Sequence, residues 1–275
     1  MAEGAGTADW LDEIEPATEP PFVRMATRGL RGRPWLLGGD DVPAQLAEKR
    51  RVLAEHPDDV VVAQPGHDAA IEELAALVAA EGIEGSGAAA GFPVVAEDLC
   101  LVVDGVLVAG IVCFPSHWRL RDKIGRPMAE VHAPVPDYDR DLRARVDRFL
   151  ARLRPGLRHG VVRRNWTVHH RPDLYASDVP PPPDPPVTPD DAAERLWFRS
   201  ERQTLVRLPR TGAVVFTIRT QQVPLGALAD RPGLCRTLHD AVAAWPPHQV
   251  DYRGGEALRT ALRGWLAAPR PPRRR

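Results

Sequence analysis

Leu99-Cys-Leu-Val-Val-Asp-Gly-Val-Leu-Val-Ala-Gly-Ile-Val-Cys-Phe114 is the stretch on which the fold turns. Two apolar runs, 99–103 and 106–114, flank Asp104-Gly105, a pair that supplies the positive φ values of a two-residue hairpin turn. Downstream, 160–170 reads as a further strand. Residues 196–208 and 213–221, separated by Pro209-Arg-Thr-Gly212, predict a second hairpin.

Helical periodicity surrounds these strands. Leu46, Val52 and Leu53 recur among charges between 43 and 55, and Ile71, Leu74, Leu77 and Val78 do so between 68 and 81. Leu142, Val146, Phe149 and Leu150 mark one face of a helix over 138–153, with arginines opposite. Two more helices are predicted at 232–244 and 255–266. Six prolines between Pro180 and Pro186 make a surface connection, because proline can neither donate a ladder hydrogen bond nor continue a helix. Thr188-Pro189 reads as a helix start running through Glu194. The acidic segment 1–21 and the basic tail 269–275 are expected to fray. The expectation is therefore an α+β protein: one domain over 22–268, with a mixed, largely antiparallel sheet, flanking helices and a proline-rich surface linker at 178–189.

The 275 residues fit one large domain or two small ones, and 44% hydrophobic with 27% charged residues is a globular composition. Cationic and acidic side chains number 36 and 37, too balanced for a broad phosphate-binding surface, so no nucleic-acid partner is expected. The longest apolar stretch, 106–114, is interrupted by Gly110 and falls far short of the roughly 20 residues of a membrane span. An acidic opening without an apolar secretory core points to the cytoplasm. Cys100, Cys113 and Cys235 form no CxxC pair, which fits reduced, buried thiols, and three are too few for a four-cysteine iron-sulfur cluster. Lysine stands only at 49 and 123, which we ascribe to base composition.

Several patterns carry candidate chemistry, each with a plain structural alternative. Gly85-Ser-Gly-Ala-Ala-Ala-Gly91 matches a nucleotide loop in letters only, because it follows a helix where a strand is required. His169 and His170 are adjacent and face opposite sides of a strand, which disfavours a shared zinc. Ser116, His117 and Asp122 lack the elbow of a hydrolase. His132 sits in Ala129-Glu-Val-His-Ala-Pro-Val-Pro136, rigid and apolar, as a core histidine or an axial haem ligand requires. Glu201 and Arg219 lie on the two strands of the second hairpin, as a structural ion pair or as a site. Alternation puts Arg219 on the face of Val215 and Thr217.

Taken together, Glu97-Asp-Leu-Cys-Leu-Val-Val-Asp-Gly105, Cys113-Phe-Pro-Ser-His-Trp-Arg-Leu-Arg-Asp-Lys-Ile-Gly-Arg-Pro127, Val131-His-Ala-Pro-Val-Pro136, Asn165-Trp166, Arg199-Ser-Glu-Arg-Gln-Thr-Leu205 and Thr217-Ile-Arg-Thr220 resemble the haem-dependent oxidative N-demethylase family. The resemblance covers most of 22–245. It implies a PAS-like domain that binds haem b and oxidises a small amine with O2. Electrons would come from a partner reductase carrying the flavin and iron-sulfur centres. It further implies His132 as the iron ligand, with His117 as its rival, and Arg119, Lys123 and Arg126 as a cationic loop suited to the haem propionates, for which a solvated basic loop is the equal alternative. Glu201 would anchor the ammonium substrate and accept its proton, while Arg219 would pair with Glu201 at rest and donate to oxygen in turnover. The alternatives are a non-catalytic haem or gas-sensing module and a structural subunit of an oxidase complex.

Overall fold

A computed structural model describes residues 9–83 and 85–268. The strands in chain order are β1 (Arg28–Gly29), β2 (Val61–Ala63), β3 (Ala88–Ala89), β4 (Phe92–Pro93), β5 (Asp98–Val103), β6 (Val106–Ile111), β7 (Val161–His169), β8 (Trp197–Arg207) and β9 (Val214–Pro224). The helices are α1 (Val42–Glu55), α2 (Pro57–Val60), α3 (Asp68–Ala80), α4 (Met128–Val131), α5 (Tyr138–Asp141), α6 (Arg143–Arg152), α7 (Ala192–Arg195), α8 (Pro232–Ala243), α9 (Pro247–Tyr252) and α10 (Gly255–Ala267). Among the described residues, seven strands form one sheet in the order β1-β7-β8-β9-β5-β6-β2, and β3 and β4 form a separate ribbon. All its ladders are antiparallel; parallel pairing is confined to isolated bridges such as Ser116 with Ala176. The α+β class stands.

Both predicted hairpins form. Asp104 and Gly105 take φ values of 49° and 78°, as a primed two-residue turn demands. At Gly110 a Cβ would sit 2.9 Å from the Leu99 carbonyl oxygen, so glycine lets β5 and β6 approach. The β8–β9 ladder pairs Glu201 with Thr220 and Arg202 with Arg219. Directly opposed residues share a face, so the sheet has two chemically distinct sides.

One side carries Leu99, Leu101, Val162, Val206 and Val215 and packs against α1 and α3 through Leu46, Val52, Ile71 and Leu74. Towards its end, Val168 and Phe198 meet Leu238, Val242 and Leu262 of the C-terminal helices. The other side carries Cys100, Val102 and Val214 under Leu150 and Leu153, with Met128, Val131, Val146 and Phe149 packed around them. The segment holding α4 to α6 thus roofs this second side.

Three expectations differ from the fold. The predicted helix over 138–153 breaks at Leu142, whose φ of −121° leaves the helical region and divides it into α5 and α6. The helix expected from Thr188 begins only at Ala192, because the Asp191 carboxylate accepts the Thr188 N–H at 2.7 Å and holds the intervening residues as a turn. The segment 1–21 does not fray throughout. From Asp9 it forms a turn of 3-10 helix, burying Leu11 and Ile14 beside Phe198, with Trp10 stacked on that ring at 6.2 Å. Residues 1–8 and the tail 269–275 lie outside the described residues. The proline-rich stretch is irregular and mostly exposed, pinned by the buried Val187.

Candidate functional site

The roofed side of the sheet changes from apolar to polar along its strands. Val161, Leu205 and Phe216 stand side by side in register, each only half-buried. The next row on that face is Arg163 and Gln203, and the one after it Asn165, Glu201 and Thr220. These half-buried side chains beside a polar row, beneath a short helical segment against which Leu205 and Phe216 pack, form the face we take as the floor of a candidate cleft.

His132 ends α4 on that segment. Its Nδ1 lies 2.8 Å from the Met128 carbonyl oxygen, and its ring stacks on Tyr138 at 4.6 Å and 6°. A carbonyl can only accept, so Nδ1 carries the hydrogen and Nε2 keeps the lone pair in the neutral ring. Burial pushes the imidazole below its ordinary range, and the Met128 bond opposes that push only in part. This is a neutral, oriented imidazole with one nitrogen ready to ligate. Lys123 steadies the same segment by donating to the Val131 carbonyl at 2.8 Å.

Glu201 is half-buried on β8. Asn165 Nδ2 and Gln203 Nε2 both donate to Oε2, at 3.0 and 2.9 Å, while Oε1 takes no hydrogen bond from a described residue. One oxygen is fixed and the other is presented. Arg163 is an electrostatic neighbour of Glu201, His132 and Tyr138, which ties the roof to the polar row.

Arg219 is elsewhere. It is fully buried on the opposite side of the sheet, donating to Gln45 Oε1 at 2.5 Å and Asp41 Oδ1 at 2.7 Å of the chain entering and forming α1. The register explains this: Glu201 faces Thr220, and Arg219, one residue back, faces Arg202. The expected resting pair of Glu201 and Arg219 is not formed. The alternation that grouped Arg219 with Val215 and Thr217 holds.

The cationic loop is dispersed. Arg119 makes a bidentate pair with Asp178, Lys123 is engaged with Val131, and Arg126 is exposed. His117 stacks on His169 at 4.6 Å, and Ser116 Oγ lies 3.1 Å from His169 Nε2. Burial and the nearby Arg199 push His169 down to about 3. This stack sits by Arg199, whose guanidinium caps the carbonyls of Leu174, Phe114 and Pro115. The serine therefore meets His169 rather than His117, and no Ser116–His117–Asp122 relay is assembled. The glycine stretch after α3 leads into the β3–β4 ribbon and opens no helix.

Sequence reasoning passed over Arg163, Tyr138 and Gln203. The signal was available in part, since alternation along 161–169 sets Arg163 and Asn165 on one face and Trp166 on the other. Both lysines do specific work: Lys49 is fully buried, donating to Asp98 Oδ1 at 2.7 Å and to the Glu97 carbonyl at 2.6 Å. A compact ammonium suits such single carbonyl contacts better than the arginine fork does.

Residues 91–263 match the family described as haem-dependent oxidative N-demethylase, alpha subunit-like. The matched span begins just before β4 and runs into α10, so it contains β5 to β9, the roof segment with His132, and Glu201. The chain belongs to the haem-dependent oxidative N-demethylase alpha subunit-like family.

Proposed function

We infer that this chain is a PAS-like haem b protein that oxidises a small alkylamine at the carbon beside nitrogen, using O2 and electrons delivered by a separate reductase. The observation that carries the reading is His132, whose Nδ1–H is committed to Met128 so that Nε2 is the ligating atom. The surroundings fit the cofactor. Val161, Leu205 and Phe216 offer an apolar floor, and Tyr138 Oη and Arg163 Nε are sealed from solvent without a hydrogen-bond partner. Haem, when bound, supplies the redox chemistry that activates O2.

The chain's own residues do the rest. Glu201 Oε1 binds the substrate ammonium, which near neutral pH carries its proton as a lysine side chain does. The same oxygen accepts that proton, freeing the nitrogen lone pair before the adjacent C–H bond is replaced by C–O. Collapse of the resulting carbinolamine breaks the C–N bond. The balance is one methylamine group, O2, two electrons and two protons giving demethylated amine, formaldehyde and water. The electrons come from outside, because three cysteines cannot hold a four-cysteine cluster and the one glycine-rich stretch opens no helix.

A second reading, a haem-binding module without turnover, is favoured by one observation: Arg219 is committed to Asp41 and Gln45 and leaves Glu201 as the sole acid–base group of the proposed set. One experiment separates the two. Haem-loaded protein, given a chemical electron source, O2 and dimethylamine, is assayed for formaldehyde. Turnover in the parent and its loss in Glu201→Gln, with an unchanged Soret band and a weakened amine-induced shift, support the oxidase. Haem that reoxidises without formaldehyde from any methylamine supports the module.

A further inference from the structure

Among the described residues, Arg163 is the one guanidinium on this face of the sheet that makes no hydrogen bond or ion pair within the fold. The other arginines on this face are committed: Arg199 caps three carbonyls, and Arg207 donates to Leu150, Leu153 and Gly212. Arg163 makes no hydrogen bond or ion pair with a described residue, although Glu201 is close enough to act on its charge. Glu201 is turned towards Asn165 and Gln203 instead. The Nε of Arg163 is sealed from solvent without a partner, and its two terminal nitrogens make no hydrogen bond with a described residue. Burial drags the group below the ordinary arginine range, and the charges of Glu201 and Tyr138 oppose that only in part. Tyr138 adds a second unused donor. It is buried, and its hydroxyl has no partner among the described residues. Its ring is the one stacked on His132.

A fork of terminal nitrogens and a phenol hydroxyl, both unsatisfied and both beside the proposed iron ligand, specify a carboxylate. The amine substrate is a cation and O2 is neutral, so neither answers this charge. Arg163 stands on the border between the apolar row of Leu205 and Phe216 and the polar row of Glu201. An amphipathic ligand with carboxylates on its rim matches that border. Resting on the haem reading above, we propose that Arg163 and the Tyr138 hydroxyl form the anchor for a haem propionate, in place of the loop of Arg119, Lys123 and Arg126.

Haem b and its dimethyl ester, which lacks the carboxylate charges, are the probes. The parent binds the free acid more tightly than the ester by about tenfold or more, the worth of a charge-assisted pair. Arg163→Met reduces that preference to near unity while keeping the His132-ligated Soret band. Arg163→Lys recovers part of the preference, and Tyr138→Phe loses a smaller share. Without haem, Arg163→Met melts no lower than the parent, because it removes a buried, only partly compensated cation rather than a structural contact. The proposal is overturned if Arg163→Met keeps the parental preference, or if it melts lower or fails to fold, which would mark a structural arginine. If the parent binds neither porphyrin, the haem reading itself fails; if it binds haem through His132 with no acid preference, only the anchor fails.

Discussion

His169, His117 and His132 are all held below the ordinary imidazole range, in each case chiefly by burial. A histidine depressed in the folded state is neutral there while the unfolded chain still takes up protons. Its contribution is therefore complete above the unfolded value of 6.5 and is lost as pH falls below it. For His169, pushed to about 3, the loss at pH 5 is about 2 kcal/mol, and the other two act in the same direction. Urea denaturation of the haem-free protein should accordingly show a lower midpoint at pH 5 than at pH 7.5. His169→Phe, which keeps the stack on His117, should flatten that dependence; an equally steep profile in the variant would show that other groups carry it.

The β8–β9 ladder shows what one residue of register does to chemistry. Glu201 and Arg219 occupy neighbouring rungs and so project to opposite sides, one towards the roofed cleft and one towards α1. Their variants should separate cleanly. Arg219→Met should cost about 3 kcal/mol of stability by freeing Asp41 and Gln45, with little change in the amine-induced spectral shift. Glu201→Gln should do the reverse. A strong loss of amine binding in Arg219→Met with unchanged stability would mean that the side chain reaches the cleft. The roof depends on a comparable single contact. Arg207 Nε donates to the Leu153 carbonyl at 2.7 Å and its Nη2 to Leu150, clamping the C-terminal end of α6 to the sheet. Arg207→Met should release α6 selectively, seen as faster amide exchange over 143–153 with β5 to β9 still protected.

Among the described residues one seven-stranded sheet lies between α1, α3 and the C-terminal helices on one side and the α4 to α6 segment on the other, and its legibility in the sequence follows that division. The five central strands, α1, α3, α8 and α10 were readable, because each is long enough for its periodicity to stand out. The short edge strands Arg28–Gly29 and Val61–Ala63 and the helix Pro247–Tyr252 were not, since two to six residues carry too few repeats to show a pattern. Acidic composition hid the packing of Leu11 and Ile14, whose apolar spacing is confined to one turn. His132 and Glu201 were visible as residues, but their orientations depend on Met128, Asn165 and Gln203, contacts that only the folded register creates. Alternation could place Arg163 on its face, but not mark it out, since what marks it is a contact the fold does not make.

The proposed function rests on one point, that His132 Nε2 would be the protein's ligand to haem iron. Titration of haem into the purified protein and into His132→Gly, followed in the Soret region with and without added imidazole, tests it most directly. The parent should bind one equivalent with a histidine-ligated spectrum, His132→Gly should lose that spectrum, and imidazole should restore it by filling the vacated position. Retention of the parental spectrum in His132→Gly, or failure of the parent to bind haem stoichiometrically, would contradict the account.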